Sequence, residues 1–230
     1  LKPFFIILPI LISLLLPKNK NAEQQIIKLI VTNTSNVTSK LFLTTKNTDT
    51  IYYLIKDIDA DGVQDSVYVN PENATIVCKL STKKFKEIAS KPIEILNFPS
   101  GVVETKNGFE FFNDWMRAGY KNQFRYNKKT KQIQLIGMSR YEFGNAANDG
   151  SGESSVNLLT GDYIGNWNFY DDLANNEGGE LVKIPTIKTK MYFKTINLED
   201  FSEDVYFNYA DRCSKLYYAK KQKMKTKVGN

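Results

Sequence analysis

Short apolar or alternating runs, separated by clusters of Asn, Asp, Gly, Ser and Lys, set the pattern of this chain from residue 24 onward. Residues 24–31 (QQIIKLIV), 51–55 (IYYLI), 66–69 (SVYV) and 75–80 (TIVCKL) have the length and the β-branched and aromatic content of strands. Residues 101–116, which include GFEFFNDWM, are dense in aromatics and read as extended. QFRY (123–126) and QIQLIGM (132–138) flank NKKTK, which reads as a hairpin turn, and residues 156–172 fold back at Thr160-Gly161-Asp162 as a second hairpin. MYFKTINL (191–198), VYFNYA (205–210) and SKLYYAKK (214–221) read as further short β segments. Residues 85–96, interrupted by Pro92, fit a strand or a short helix; residues 32–40, 145–155 and 173–179 are loops by composition. Turn signals at close, even spacing predict a mainly β fold, an antiparallel meander or sandwich.

The N-terminal pattern differs. Residues 1–22 combine Lys2 with an uncharged apolar run from Pro3 to Pro17. That run is shorter than the roughly 18–20 residues a membrane-spanning helix needs, and it reads as a secretory signal peptide cleaved after Ala22. The expected organisation is a signal peptide over 1–22, a single mainly β domain over 23–219 and a flexible lysine-rich tail over 220–230. The expected location is secreted or periplasmic, with no transmembrane span left after cleavage.

Charge changes the picture only at the ends. The chain carries +6. Eight of its 31 basic residues lie in 1–22 and 220–230, which hold no acid, so 23 remain against 25 acids in the body. No basic face for nucleic acid is expected from that balance. Histidine is absent, which removes His-based acid–base catalysis, the His-dependent nucleophile systems and His-ligated zinc. Cys78 and Cys213 are the only cysteines; in an exported chain they are either a disulfide or two buried thiols.

The densest chemistry is DIDADGVQD, residues 57–65. Asp57, Asp59, Asp61 and Asp65 occupy positions 1, 3, 5 and 9 of an EF-hand-like count. Gly62 stands at the sharp turn, and Val63 at position 7 offers a backbone carbonyl. Position 12 is Tyr68 instead of Glu and the flanks are β, so this is no EF-hand but a strand–loop–strand arrangement with similar ligand spacing. Four carboxylates in nine residues repel one another unless a hard cation sits among them. Ca²⁺, with six to eight oxygen ligands in flexible geometry, suits them better than Mg²⁺. The expected metal residues are Asp57, Asp59, Asp61, Val63 and Asp65, around a structural Ca²⁺.

Residues 57–65, leading into SVYV, resemble the calcium loop of FG-GAP (VCBS-type) repeats, which reads DxDxDGxxD. That family builds β-propellers from several such repeats; this chain has one, so the resemblance implies the ion and not a full propeller. The chain past the signal region also resembles a loose group of secreted bacterial proteins with one such loop and a GSGESSVNLLTG-like segment, a likeness that implies no activity.

Other motifs weigh little. Ser81 to Lys84 has SxxK spacing without its companion motifs, and residues 150–155 (GSGESS) lack nucleophile-elbow and P-loop spacing. Asp171-Asp172, Glu177, Glu180, Glu199-Asp200 and Glu203-Asp204 offer carboxylates of the kind a glycosidase pairs. Trp115 and Trp167 offer sugar-stacking rings or core packing. The expectation is a calcium-stabilised binding or interaction module, its partner a cell-envelope polymer, a glycan or a protein. The alternative is a secreted carboxylate-dependent hydrolase acting on polysaccharide. The missing histidine and nucleophile motifs favour binding over catalysis.

Overall fold

In the computed structural model the described residues are 42–44, 50–173 and 178–228. They fall in the compact unit Lys40–Asn230. The signal-peptide reading, the run at 24–31 and the polar stretch at 32–40 lie outside the described residues.

Thirteen strands are described: β1 (Phe42–Thr44), β2 (Thr50–Lys56), β3 (Asp65–Asn70), β4 (Thr75–Lys79), β5 (Glu87–Ala89), β6 (Ser100–Thr105), β7 (Gly108–Asp114), β8 (Ala118–Asn127), β9 (Gln132–Glu142), β10 (Gly152–Asn157), β11 (Asp162–Asp171), β12 (Glu180–Lys183) and β13 (Ile187–Lys190). They form two antiparallel meanders. One runs β1-β2-β3-β4-β5; the other runs β12-β11-β10-β9-β8-β7-β6, with β13 pairing the first half of β11. Within β1 to β5 and within β6 to β12 consecutive strands are neighbours, joined by turns and loops of at most about ten residues. The expected mainly β, antiparallel fold is therefore found, with neither a closed barrel nor a propeller.

Alternation decides which face is buried. In the smaller sheet Val67 and Val69 point inward; in the larger one Phe109 and Phe111, Tyr120 and Phe124, and Tyr163, Trp167 and Phe169 do. These side chains belong to one continuous core with Ile58, Ile76 and Leu80. Strand β9 carries a bulge where its register shifts against Gln123 and Phe124. Ile133 and Leu135 face the core before the bulge, Met138 and Arg140 after it, so inward parity changes from odd to even. Lys56 on β2 ties the sheets together by donating to Glu104 Oε1 (2.8 Å) and the Thr105 carbonyl (2.5 Å) on β6.

The last described element is an α-helix, α1 (Glu203–Val228), where two β-type segments, 205–210 and 214–221, were expected. Tyr206, Tyr209, Cys213 and Tyr217 are buried at spacings of three, four and four, the stripe of one helix face. They cover the inner face of the larger sheet. Tyr206 stacks on Tyr120 with centroids 4.0 Å apart, Tyr209 shares a 2.8 Å hydrogen bond with Ser154, and Tyr217 meets the edge of Trp167. Glu203 and Asp204 lie in the first turn and lysines crowd the last, complementing the helix dipole. Aromatic β-propensity hid this period in the sequence.

Residues 220–228, expected as a flexible tail, continue the same helix. Lys221 donates to both oxygens of Asp149 (2.8 and 2.9 Å), and Lys225 lies 5.9 Å from the Phe169 ring centroid. Residues 191–198 form no strand; they contribute one bridge, Asn197 to Gln134, and lead into a 3₁₀ turn, Leu198–Asp200. Residues 101–116 are two strands, β6 and β7, and the loop expected over 145–155 ends where β10 begins at Gly152. Cys78 and Cys213 are free, buried thiols.

Candidate metal centre

Strand β2 stops at Lys56, which pairs with Asp65 at the start of β3, so residues 57–64 form a closed loop at one end of the smaller sheet. Ile58 anchors it by entering the core, with Asp59 beside it also buried and Asp57 partly buried. Gly62 has φ +87° and Ala60 has φ +62°. A Cβ at Gly62 would meet nothing within 4 Å, so the need for glycine there is conformational rather than steric.

The four aspartates divide into two roles. Asp65, 1% exposed, accepts the Ile58 N–H at Oδ2 and the Ser81 N–H at Oδ1, both at 2.8 Å. Its two oxygens thereby tie the loop base to the 3₁₀ turn Ser81–Lys83. Asp57, Asp59 and Asp61 form the cluster: each presents a carboxylate oxygen within 4.8 Å of the other two, and together they can hold a metal ion. Asp57 also accepts the Asp61 N–H (3.1 Å) and the Gly62 N–H (2.9 Å). Asp61 accepts the Val63 N–H (2.8 Å) and the Ser81 hydroxyl (2.6 Å). Val63, expected to supply a carbonyl, sits just past Gly62 with its side chain half exposed.

Asp59 is the unusual member. It is 5% exposed; its Oδ2 accepts the Thr82 hydroxyl, while its Oδ1 is buried with no partner. Burial pushes its pKa up; the Thr82 bond opposes this, and the charges of Asp65, Asp61 and Asp57 add to it. Asp61, at the surface, is pulled the other way by the Ser81 hydroxyl and the Val63 N–H. Among the described residues no lysine or arginine forms an ion pair with any of these four carboxylates. The negative field reaches the larger sheet: Tyr126 on β8 has its phenol pushed up by burial and then by the charge of Asp59, against a hydrogen bond with Thr82.

Ser81, Thr82 and Tyr126 are the supporting residues that sequence reasoning missed. Ser81 and Lys84 had been weighed as a nucleophile pair. The Ser81 hydroxyl instead bonds Asp61, and Lys84 is an exposed left-handed residue closing the turn. No local pattern pairs residues 81–82 with a loop some twenty positions earlier; only the β3–β4 hairpin brings them there.

The other sequence candidates disperse. Trp167 is a core residue 2% exposed, and Trp115 packs edge-on against Tyr120 and Tyr206. Asp172, Glu180, Glu199, Asp200 and Asp204 are exposed, and Glu177 lies outside the described residues. Glu203 is buried, but its oxygens are taken by the Tyr120 hydroxyl (2.9 Å) and the Ile95 N–H (2.8 Å). Among the described residues no helix is long and apolar enough to cross a membrane.

No protein-family model, curated protein or solved structure matches this chain. The FG-GAP likeness rests on residues 57–65 alone.

Proposed function

We propose that this chain is an exported binding or interaction protein whose β2–β3 loop holds a structural Ca²⁺. The observation that carries the ion is the Asp59 Oδ1 atom, a buried carboxylate oxygen without a partner beside the oxygens of Asp57 and Asp61. A buried, uncompensated carboxylate oxygen is costly, and a cation among three carboxylates removes that cost. Calcium is favoured over magnesium because the carboxylates also accept loop N–H groups and hydroxyls, which leaves an irregular oxygen set that a flexible coordination sphere tolerates and a strict octahedron does not. Export follows from the reading of residues 1–22 and fits a weak site, since extracellular modules bind calcium with Kd on the order of 10⁻⁴ to 10⁻³ M.

Thermal melts of the protein in EDTA, in calcium and in magnesium test the ion. Calcium raises the melting temperature and magnesium at equal concentration raises it less. Identical melts in all three, with no heat in a calorimetric calcium titration, would reduce the loop to an acidic turn.

A further inference from the structure

Among the described residues α1 covers one face of the larger sheet. On the opposite face of β8, β9, β10 and β11 lies a trough of about 560 Å³ adjoining a second of about 330 Å³; both are lined by Lys121, Ser139 and Ser155. These volumes fall within the usual range for ligand sites. We propose that this trough binds a neutral oligosaccharide, an inference that rests on reading the chain as a binding protein.

Register explains the shape. Lys121, Ser139 and Ser155 are direct cross-strand partners, as are Gln123, Gly137 and Asn157 in the next rung. Small residues on the two central strands make the floor, and longer side chains on β8 and β11 make the walls. The β9 bulge is what turns Gly137, Ser139 and Tyr141 outward. Strands β8 to β11 each have a hydrogen-bonded neighbour on both sides, so an extended peptide finds no free edge here to pair with. A ligand here is recognised through side chains.

Those side chains suit hydroxyls. Among the described residues Ser139, Ser155 and Glu153 have side-chain oxygens with no protein partner, and all three line the trough. A sugar hydroxyl both donates and accepts, matching serine and carboxylate alike. Tyr141 closes the end of the trough. Its ring lies over Gly119, where a Cβ would come within 2.6 Å of it, and its hydroxyl donates to Asp114 (3.1 Å). The ring therefore lies along the sheet, with the exposed Phe143 ring 5.6 Å away centroid to centroid, and the two make an aromatic pair against which a sugar ring can stack. The lining charges nearly cancel: Lys121 stands 3.5 Å from Glu110 and Arg140 pairs with Glu142, leaving Glu153 without an ion pair among the described residues. A polyanion gains nothing from such a surface, whereas a neutral saccharide loses nothing.

The test uses a glycan array followed by calorimetric titration of cellotetraose, maltotetraose and N-acetylchitotetraose, with a polygalacturonate oligomer as the acidic comparator. Wild type, Tyr141→Ala and Ser155→Tyr are compared; the second substitution fills the trough with a residue well suited to an exposed strand. Binding of a neutral oligosaccharide, weakened at least about ten-fold by each substitution, is the expected result. Four results would overturn the proposal: no neutral saccharide bound at millimolar concentration, binding indifferent to both substitutions, preference for the acidic oligomer, or self-association of wild type that Ser155→Tyr abolishes. The calcium melt of each variant is read separately. An intact calcium shift without sugar binding refutes the trough alone; sugar binding without a calcium shift refutes the loop alone.

Discussion

Replacing Asp59 by Asn reverses sign with the metal. In EDTA the wild-type loop buries the Asp59 carboxylate with one oxygen unpartnered and three like charges around it. An unsatisfied buried polar group costs about 1–3 kcal/mol, and more when charged. Asparagine keeps an acceptor for Thr82, carries no charge, and offers its NH₂ to the oxygens of Asp57 and Asp61. Metal-free Asp59→Asn is therefore expected to be about 1–2 kcal/mol more stable than wild type, which for a domain of this size is roughly 2–8 °C in Tm. With calcium the order inverts. At a hundred-fold excess over Kd, binding adds about 2.7 kcal/mol to wild type, roughly 5–11 °C. The variant has lost a ligand and gains little.

The metal-free difference also has a pH signature. The folded pKa of Asp59 lies above its ordinary value, so its favourable contribution is complete below about pH 4 and is lost as pH rises through the folded pKa. Wild type and Asp59→Asn should therefore converge in EDTA near pH 4 and separate toward neutrality. Differential scanning calorimetry across pH, with and without calcium, reads all of this. A variant that melts below wild type in EDTA yet keeps a full calcium shift would refute both the orphaned oxygen and its role as ligand.

Glu203→Ala leaves the Tyr120 hydroxyl and the Ile95 N–H without their buried acceptor, and urea denaturation is expected to show a loss of about 2–4 kcal/mol, with Glu203→Gln recovering much of it. Asp149 is partly buried; burial raises its pKa, but the Lys221 ammonium, the Tyr170 N–H and the Tyr217 hydroxyl overcome that and hold it below the usual value. Its contribution is thus present above about pH 4 and is lost as pH falls through the lowered pKa, so Asp149→Asn should flatten the acid limb of the stability profile. Truncation after Ala219 removes Lys221 and Lys225 from Asp149 and Phe169 and is expected to lower Tm by several degrees; an unchanged melt would return the tail to a mobile appendage. Burial pushes both cysteine thiols up, so neither should react with a thiol reagent at neutral pH in the native protein and both should react in urea.

The mainly β character and the acidic loop were legible because both are local. Alternation at 66–69, 123–126 and 132–138 reports a one-sided burial that period-two geometry imposes, and the short turns between those runs leave the chain few ways to pair. DxDxDG likewise carries its own turn, through Gly62, and its own charge problem. The sequence erred where two periods competed for the same residues. Tyr206, Tyr209, Cys213 and Tyr217 have the composition of strands and the spacing of a helix, and the helix wins because the larger sheet presents a face of Tyr120, Ser154 and Trp167 for that spacing to cover. The partition of the aspartates was also beyond the sequence. Nothing local in the sequence indicated that the β3–β4 hairpin would bring the Ser81 N–H to Asp65, and Asp59 looked like its neighbours until burial left one of its oxygens without a partner. Local periodicity fixes which residues can be strands and which carboxylates can meet. What each is left facing depends on packing from distant parts of the chain, and only the tertiary structure decides it.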